Sequence, residues 1–297
     1  MTVPFSQRAK IYWTDERVKK VTGGKNFLIL PSEAPDLLRT MDLLNNDGSM
    51  AARKIKKYAQ INHMLTLMVD ALHDLKSRHE VIRIVDVCCG NSFLSLILGW
   101  YLKEKLKHPF KMIGIDHNAK VVEQSNVRIK TLGLSDEMNV TQASLSDSKW
   151  QEALQGLRPH MVIALHACDT ASDYALAQGI ELKADYLAIA PCCQAELARS
   201  WSQRESQQHD FEPIFRSPNL RREVAAHMTD ALRMLLTRSH GYEVTAKEFV
   251  SSAHTPKNRL LYCVRRGNYL ETARQEYDRL KHSLGDFSIT LETLLAR

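Results

Sequence analysis

No stretch of this sequence is apolar for the roughly 20 residues that a helix needs to cross a bilayer, and the run FLSLILGWYL from Phe93 is far shorter. The opening MTVPFSQRAKIYWTDERVKK has no apolar secretory core. Both gaps lead us to expect a cytoplasmic protein with no membrane association. Cysteine is sparse. The six residues Cys88, Cys89, Cys168, Cys192, Cys193 and Cys263 do not follow the spacing of a disulfide scaffold, so free thiols in a reducing compartment are expected. Residues 1–87 hold no cysteine, which excludes a Cys/His zinc finger there. A GxxxxGK[ST] segment is missing, which removes the simplest case for an ATPase or GTPase. There is no repeat of 20 to 50 residues, no low-complexity tract and no obvious long linker.

What is present is an ordinary globular composition, 44% hydrophobic and 25% charged over 297 residues, enough for one large α/β domain with helical additions. Basic residues number 40 against 34 acidic, a balance of +6 that permits a polyanionic partner without requiring one. The first 80 residues read as a helical or irregular preface. GGKN and NNDGS mark turns, and a helix runs from about Ser49 to Ser77, with Ile55, Tyr58, Ile61, Met64, Leu65, Met68 and Leu72 at a helical period. From Val81 the pattern changes to apolar runs separated by helical segments: VIRIVDV, HPFKMIGID, MNVTQAS, HMVIALHAC, ADYLAIAPCC, GYEVTAKEFV and NRLLYCVRR. Seven such strands predict a doubly wound α/β fold, mostly parallel, finished by an antiparallel pair. The last stretch reads as one or two helices. The expected organisation is a helical N-terminal extension over residues 1–78, a sheet domain over 79–267 and a helical C-terminal extension over 268–297.

Chemistry collects at the predicted strand ends. In VDVCCGNSFLSLIL the first strand ends near Asp86 and a helix begins near Phe93, which puts Gly90 in a tight turn at the carboxyl end of a parallel strand. Asn91 or Ser92 is placed to cap the following helix. In KMIGIDHNA, Asp116 ends the next strand, where its carboxylate can accept hydrogen bonds from both hydroxyls of a ribose; the alternative is a cap on the NAKVVEQS helix. The turn Cys88-Cys89-Gly90-Asn91-Ser92 lacks the glycine fingerprint of a dinucleotide site, which disfavours NAD.

With these residues in view, the sequence resembles a class I S-adenosylmethionine-dependent methyltransferase. The resemblance implies a Rossmann-like methyltransferase sheet, mostly parallel with an antiparallel last strand, and S-adenosyl-L-methionine as cofactor. It places Asp86, Cys88 and Gly90 around the methionine portion, Asp116 on the ribose, and Ser144 with Leu145 beside the adenine. Cys88 and Ser92 stand where such enzymes often carry glycine. The later motifs resemble the methyltransferase-domain family that includes eukaryotic tRNA 2'-O-methyltransferases. That family has Lys-His-x-Cys-Gly, then Ala-Thr-Asp, then Cys-Cys-His, where this chain reads Leu165-His166-Ala167-Cys168-Asp169, Ala171-Ser172-Asp173 and Cys192-Cys193-Gln194. The likeness covers roughly Lys54 to Arg266 and implies an RNA acceptor.

A methyl transfer to a hydroxyl needs the acceptor aligned with the donor and a route for its proton. His166, at the end of the fourth predicted strand, is the candidate proton acceptor and Asp173 the candidate group that orients it. The alternatives are a structural histidine and an aspartate that caps the helix starting in ASDYAL. A zinc site using His166, Cys168 and the later cysteines has suitable ligand types but no CxxC pair, so no metal is expected. Pro191-Cys192 is a weak match to the nucleophile of cytosine C5 methylation. AIAPCCQ also lacks the Asp/Asn and the aromatic of amino-group methyltransferases. Arg53 to Lys57, the Arg221/Arg222 pair with His227, and the loop carrying His254, Lys257, Asn258 and Arg259 make a candidate basic rim for RNA. A noncatalytic nucleotide- or RNA-binding module is the rival of a different class, and a protein or a small molecule is the rival acceptor.

Overall fold

The computed structural model describes residues 3–145, 156–165, 167–203, 211–248 and 258–296. The chain divides into two compact units, Met1–Ala143 and Ser144–Arg297.

The first unit opens with helices Phe5–Tyr12, Asp15–Thr22 and Pro35–Thr40, followed by the long helix Ala52–Arg78. The long helix lies where the apolar period predicts it, and it buries Tyr58, Ile61, Leu65, Met68 and Leu72 on one face. Two polar groups on that face dock the N-terminal segment. Asn62 accepts from the Ile29 amide at 2.8 Å and donates back to the Ile29 carbonyl at 3.3 Å, and the Tyr58 hydroxyl donates to the same carbonyl at 2.6 Å. Buried polar side chains require such partners. The sheet part follows as β1 (Ile82–Val87), helix Phe93–Trp100, β2 (Phe110–Asp116), helix Ala119–Thr131 and β3 (Met138–Gln142). β1 pairs with β2 and β2 with β3, both in parallel, in a register that sets Asp86 beside Gly114 and Asp116 beside Gln142. Gly114 has a steric reason. A β-carbon there would lie 2.9 Å from Val140 and 3.0 Å from the Cys89 sulfur, so the missing side chain lets the turn after β1 settle against β2.

In the second unit β4 (Met161–Leu165) and β5 (Tyr186–Ala190) are parallel and almost wholly buried, as their unbroken apolar runs require. Helix Ala171–Glu181 joins them. Helices Glu196–Ser202, Glu212–Arg216 and Pro218–Ser239 lead to β6 (Tyr242–Glu248) and β7 (Arg259–Arg265). β7 runs antiparallel to both β5 and β6 and lies between them, giving the order β4-β5-β7-β6. Helices Glu271–Ser283 and Thr290–Leu295 close the unit. All seven expected strands are present, and the chain is an α/β fold with a mixed, mostly parallel set of strands and helices before and after it. Among the described residues no helix is long and apolar enough to cross a membrane.

Candidate active site at the strand ends

In the first unit, the turn that follows β1 is bound to the end of β2 by one carboxylate. Asp116 Oδ2 accepts from the Gly90 amide at 2.9 Å, and its Oδ1 accepts from the Asn118 amide at 3.0 Å. The helix beginning at Ala119 takes its cap from Asn118, whose side chain accepts from the Lys120 and Val121 amides. Capping is therefore not the work of Asp116, which is left facing Gly90. The turn is further fixed by Cys89 N–H on the Ile115 carbonyl at 3.0 Å and by Ser125 Oγ on the Gly90 carbonyl at 3.0 Å. Gly90 has φ 52° with open space where a side chain would project, so a ligand can lie against its backbone.

Cys88 and Ser92 are left-handed as well, both with φ 56°. They keep the backbone that glycine would adopt, at about 1 kcal/mol each for an L-residue. The two departures from glycine thus leave the turn intact. Ser92 stands at the N-cap of helix Phe93–Trp100 but makes no side-chain capping bond, because its left-handed backbone is not the extended one a capping serine needs.

Asp86 is buried at 2% exposure, with the Ser95 hydroxyl bonded to its Oδ2. Burial pushes its carboxyl up to about 7. Ser95 opposes the rise, and the negative charge of Asp116 adds to it. Burial also pushes the Cys89 thiol well up, so it is inert at neutral pH. Phe93, half-buried, carries a cation on each of two neighbours: Lys57 Nζ is 4.5 Å and Arg128 Cζ 5.4 Å from its ring centre. Arg128 also reaches the Asn91 side chain at 3.3 Å. Of the basic cluster on the long helix, Lys54 is paired with Asp42 at 3.0 Å, while Arg53, Lys56 and Lys57 are exposed.

In the second unit Ser144 is exposed, and the Leu145 carbonyl accepts from Gln178 Nε2 at 2.8 Å. His166 lies outside the described residues, as do His254 and Lys257. Asp173 is fully buried and held in a fork by Arg233, also fully buried, with Nε on Oδ1 at 3.0 Å and Nη2 on Oδ2 at 2.5 Å. It does not cap its helix, whose N-cap is Thr170. Arg233 also donates to the Asp169 carbonyl at 2.9 Å and to Asp230 at 3.3 Å. Burial alone would lower the Arg233 pKa, and the carboxylates of Asp173 and Asp230 more than reverse it, so the guanidinium stays charged. Asp230 gathers Gln194 at 3.1 Å and Arg259 at 2.6 Å, and Arg259 reaches His227 at 2.7 Å. Arg221 donates to the Phe215 carbonyl and Arg222 to Asn219, at 2.6 and 3.0 Å.

This network fixes two loops side by side. Asp169, after β4, accepts from the Ala195 and Glu196 amides and from Arg199, and its own amide donates to the Cys193 carbonyl. Cys168 Sγ and Cys192 Sγ are 2.9 Å apart as a result. All six cysteines are described and none is in a disulfide. The Cys192 thiol is pushed up to about 12, first by burial and then by its hydrogen bond to Cys168. A raised thiol is a weaker nucleophile at neutral pH, which does not favour cytosine C5 chemistry at Pro191-Cys192.

Arg233 and Asp230 are the residues that sequence reasoning missed. Both sit among apolar positions of helix Pro218–Ser239, in line with Ala225, Leu232 and Leu236. A charged pair interrupting an apolar stripe was the available signal.

Residues 56–200 match a protein-family model described as "Methyltransferase domain". No curated protein sequence matches. Among solved structures the chain is similar to the N-terminal domain of human METTL16 in complex with SAH, at 11% identity over 80% of this chain and 83% of that one, with a TM-score of 0.46. It is also similar to cofactor-bound Rv0187 from MTB, at 17% identity over 86% and 96% with a TM-score of 0.46. The SAH-bound Podospora anserina methyltransferase PaMTH1 is similar at 10% identity over 90% and 99%, with a TM-score of 0.45. The family match takes in the Gly90 turn, Asp116 and the loops that carry Cys168 and Cys192.

Proposed function

We propose that this chain methylates RNA, with tRNA as the narrower reading of the substrate. The observation that carries the cofactor half is the Asp116 carboxylate held against the Gly90 amide beside open backbone. A second lone pair remains on each carboxylate oxygen, which fits the two hydroxyls of a ribose. Asp86 and the left-handed turn at Cys88 and Gly90 hold the methionine portion, and Ser144 with Leu145 the adenine. S-adenosylmethionine supplies an electrophilic methyl group when bound.

The chain's own part is to bring the acceptor into line and take its proton. We assign the proton to His166. Asp173 acts at one remove: it holds Arg233, Arg233 holds the Asp169 carbonyl, and the loop carrying residues 167–170 is kept in place. The RNA half of the reading is supported by Phe93, directly after the Gly90 turn, with Lys57 and Arg128 both near its ring. An aromatic face with cations around it suits stacked bases and phosphates.

The test is incubation with methyl-labelled S-adenosylmethionine and separate pools of cellular RNA, protein and small metabolites. Label in RNA is expected. Asp116→Ala should lose that label at limiting cofactor, with affinity down by roughly tenfold or more for lost charge-assisted bonds. Label in protein or metabolites alone would replace the acceptor, and no label in any pool would favour the noncatalytic module. Single-turnover transfer by His166→Ala at the normal rate would remove His166 from the reaction.

A further inference from the structure

Three thiols on two loops of the second unit converge in a way that neither methyl transfer nor packing calls for. Cys168 follows β4, and Cys192 and Cys193 follow β5. Among the described residues they are the one group of three or more metal-ligating side chains whose donor atoms all lie within 4.8 Å of one another. Their placement is built. Asp169, at φ 52°, is tied to the Ala195 and Glu196 amides and to Arg199, so the residue next to Cys168 is locked to the residues after Cys193. Gln194, between the cysteine pair and that helix, is held by Asp230, which the buried Arg233 holds in turn.

We propose that Cys168, Cys192 and Cys193 bind a thiophilic divalent cation of the zinc class. Sulfur ligands at about 2.3 Å in tetrahedral array stand roughly 3.8 Å apart, within the spread found here. The 2.9 Å contact between Cys168 and Cys192 has to open, which the exposed Cys168 side chain can do. Soft thiolates select such ions over magnesium or calcium. The three sulfurs leave a tetrahedral ion one further position. The absence of a CxxC pair, which leads from the sequence to an expectation of no metal, does not count against this site, because the third sulfur comes from a different strand end. As the ion enters, any S–H bond it displaces breaks and the proton goes to solvent, leaving three thiolate–metal bonds.

The experiment uses the full chain, reduced, stripped with chelator and given Zn²⁺ alone, with neither cofactor nor RNA. Stoichiometric uptake with proton release is expected. Co²⁺ in its place should show sulfur-to-cobalt charge transfer. Zn²⁺ should protect Cys168, Cys192 and Cys193 from alkylation in the unaltered chain, leaving Cys88 as reactive as before; this readout needs no variant to fold. Cys168→Ser and Cys192→Ser should abolish stoichiometric uptake, whereas Cys263→Ser, a buried β7 residue, should keep it. The proposal fails if no ion is taken up, if uptake survives both serine variants, or if the alkylation pattern is unchanged by Zn²⁺. A Cys168–Cys192 disulfide that persists under thiol reductant would also overturn it. None of these outcomes bears on the acceptor or on the cofactor.

Discussion

At the scale of single residues, Asp86 is the group whose chemistry can be read most directly from its surroundings. Its folded-state carboxyl sits at about 7 because burial penalises the charge, against 3.8 for an ordinary aspartate. A raised carboxyl binds a proton in the folded state over a range where the unfolded chain has released it. Stability from this group is therefore full below about pH 4 and is lost as pH rises towards 7. The amount is on the order of 4 kcal/mol for a shift of that size. Urea unfolding of the cofactor-free chain between pH 4 and pH 8 should show this loss, and Asp86→Asn should remove most of it. A wild-type profile that does not fall over that range would mean the carboxyl is ionised and compensated. Residue identity alone carried part of this site. Asp86, Gly90 and Asp116 were legible as strand-end residues, but the left-handed backbone at Cys88 and Ser92 was not, since nothing in either side chain announces that conformation.

At the scale of elements, the strands were legible because β4 and β5 are buried nearly throughout and read as unbroken apolar runs, while β1 is buried apart from Arg83 and keeps four apolar residues of six. The docking of the N-terminal segment was not, because it rests on Asn62 and Tyr58 meeting the backbone of Ile29 some thirty residues away. The same is true of helix Pro218–Ser239. Its sequence reads as a basic rim, yet Arg233 faces inward and is fully buried with Asp173. Removing one member of such a pair leaves a buried charge unpaired, at about 3–5 kcal/mol, whereas replacing both with apolar groups is often close to neutral. Asp173→Leu and Arg233→Met should each destabilise the chain by that order, and the double variant by much less than their sum. Urea unfolding in a double-mutant cycle checks this. Additive losses would mean that Arg233 gains its stability from Asp230 and the Asp169 carbonyl rather than from Asp173.

At the scale of the whole molecule, net charge is a poor guide to where a polyanion would bind. A balance of +6 is spread over 40 basic residues, and the fold neutralises some of those the sequence had offered as a rim. Arg259 is spent on Asp230 and Lys54 on Asp42, at 2.6 and 3.0 Å. Lys57 and Arg128 instead both lie close to the ring of Phe93, three residues after Gly90. Phosphate contacts release counterions, so the logarithm of affinity for RNA should fall linearly with the logarithm of salt concentration. Lys57→Glu should weaken binding across RNA sequences and make that slope shallower by about one contact, while leaving S-adenosylmethionine affinity unchanged. Phe93→Ala should weaken RNA binding with little change in slope, since stacking releases no counterions. Filter binding from low to high salt measures both. An affinity indifferent to salt, or a Lys57→Glu slope equal to the parent's, would move the RNA surface away from the Phe93 corner.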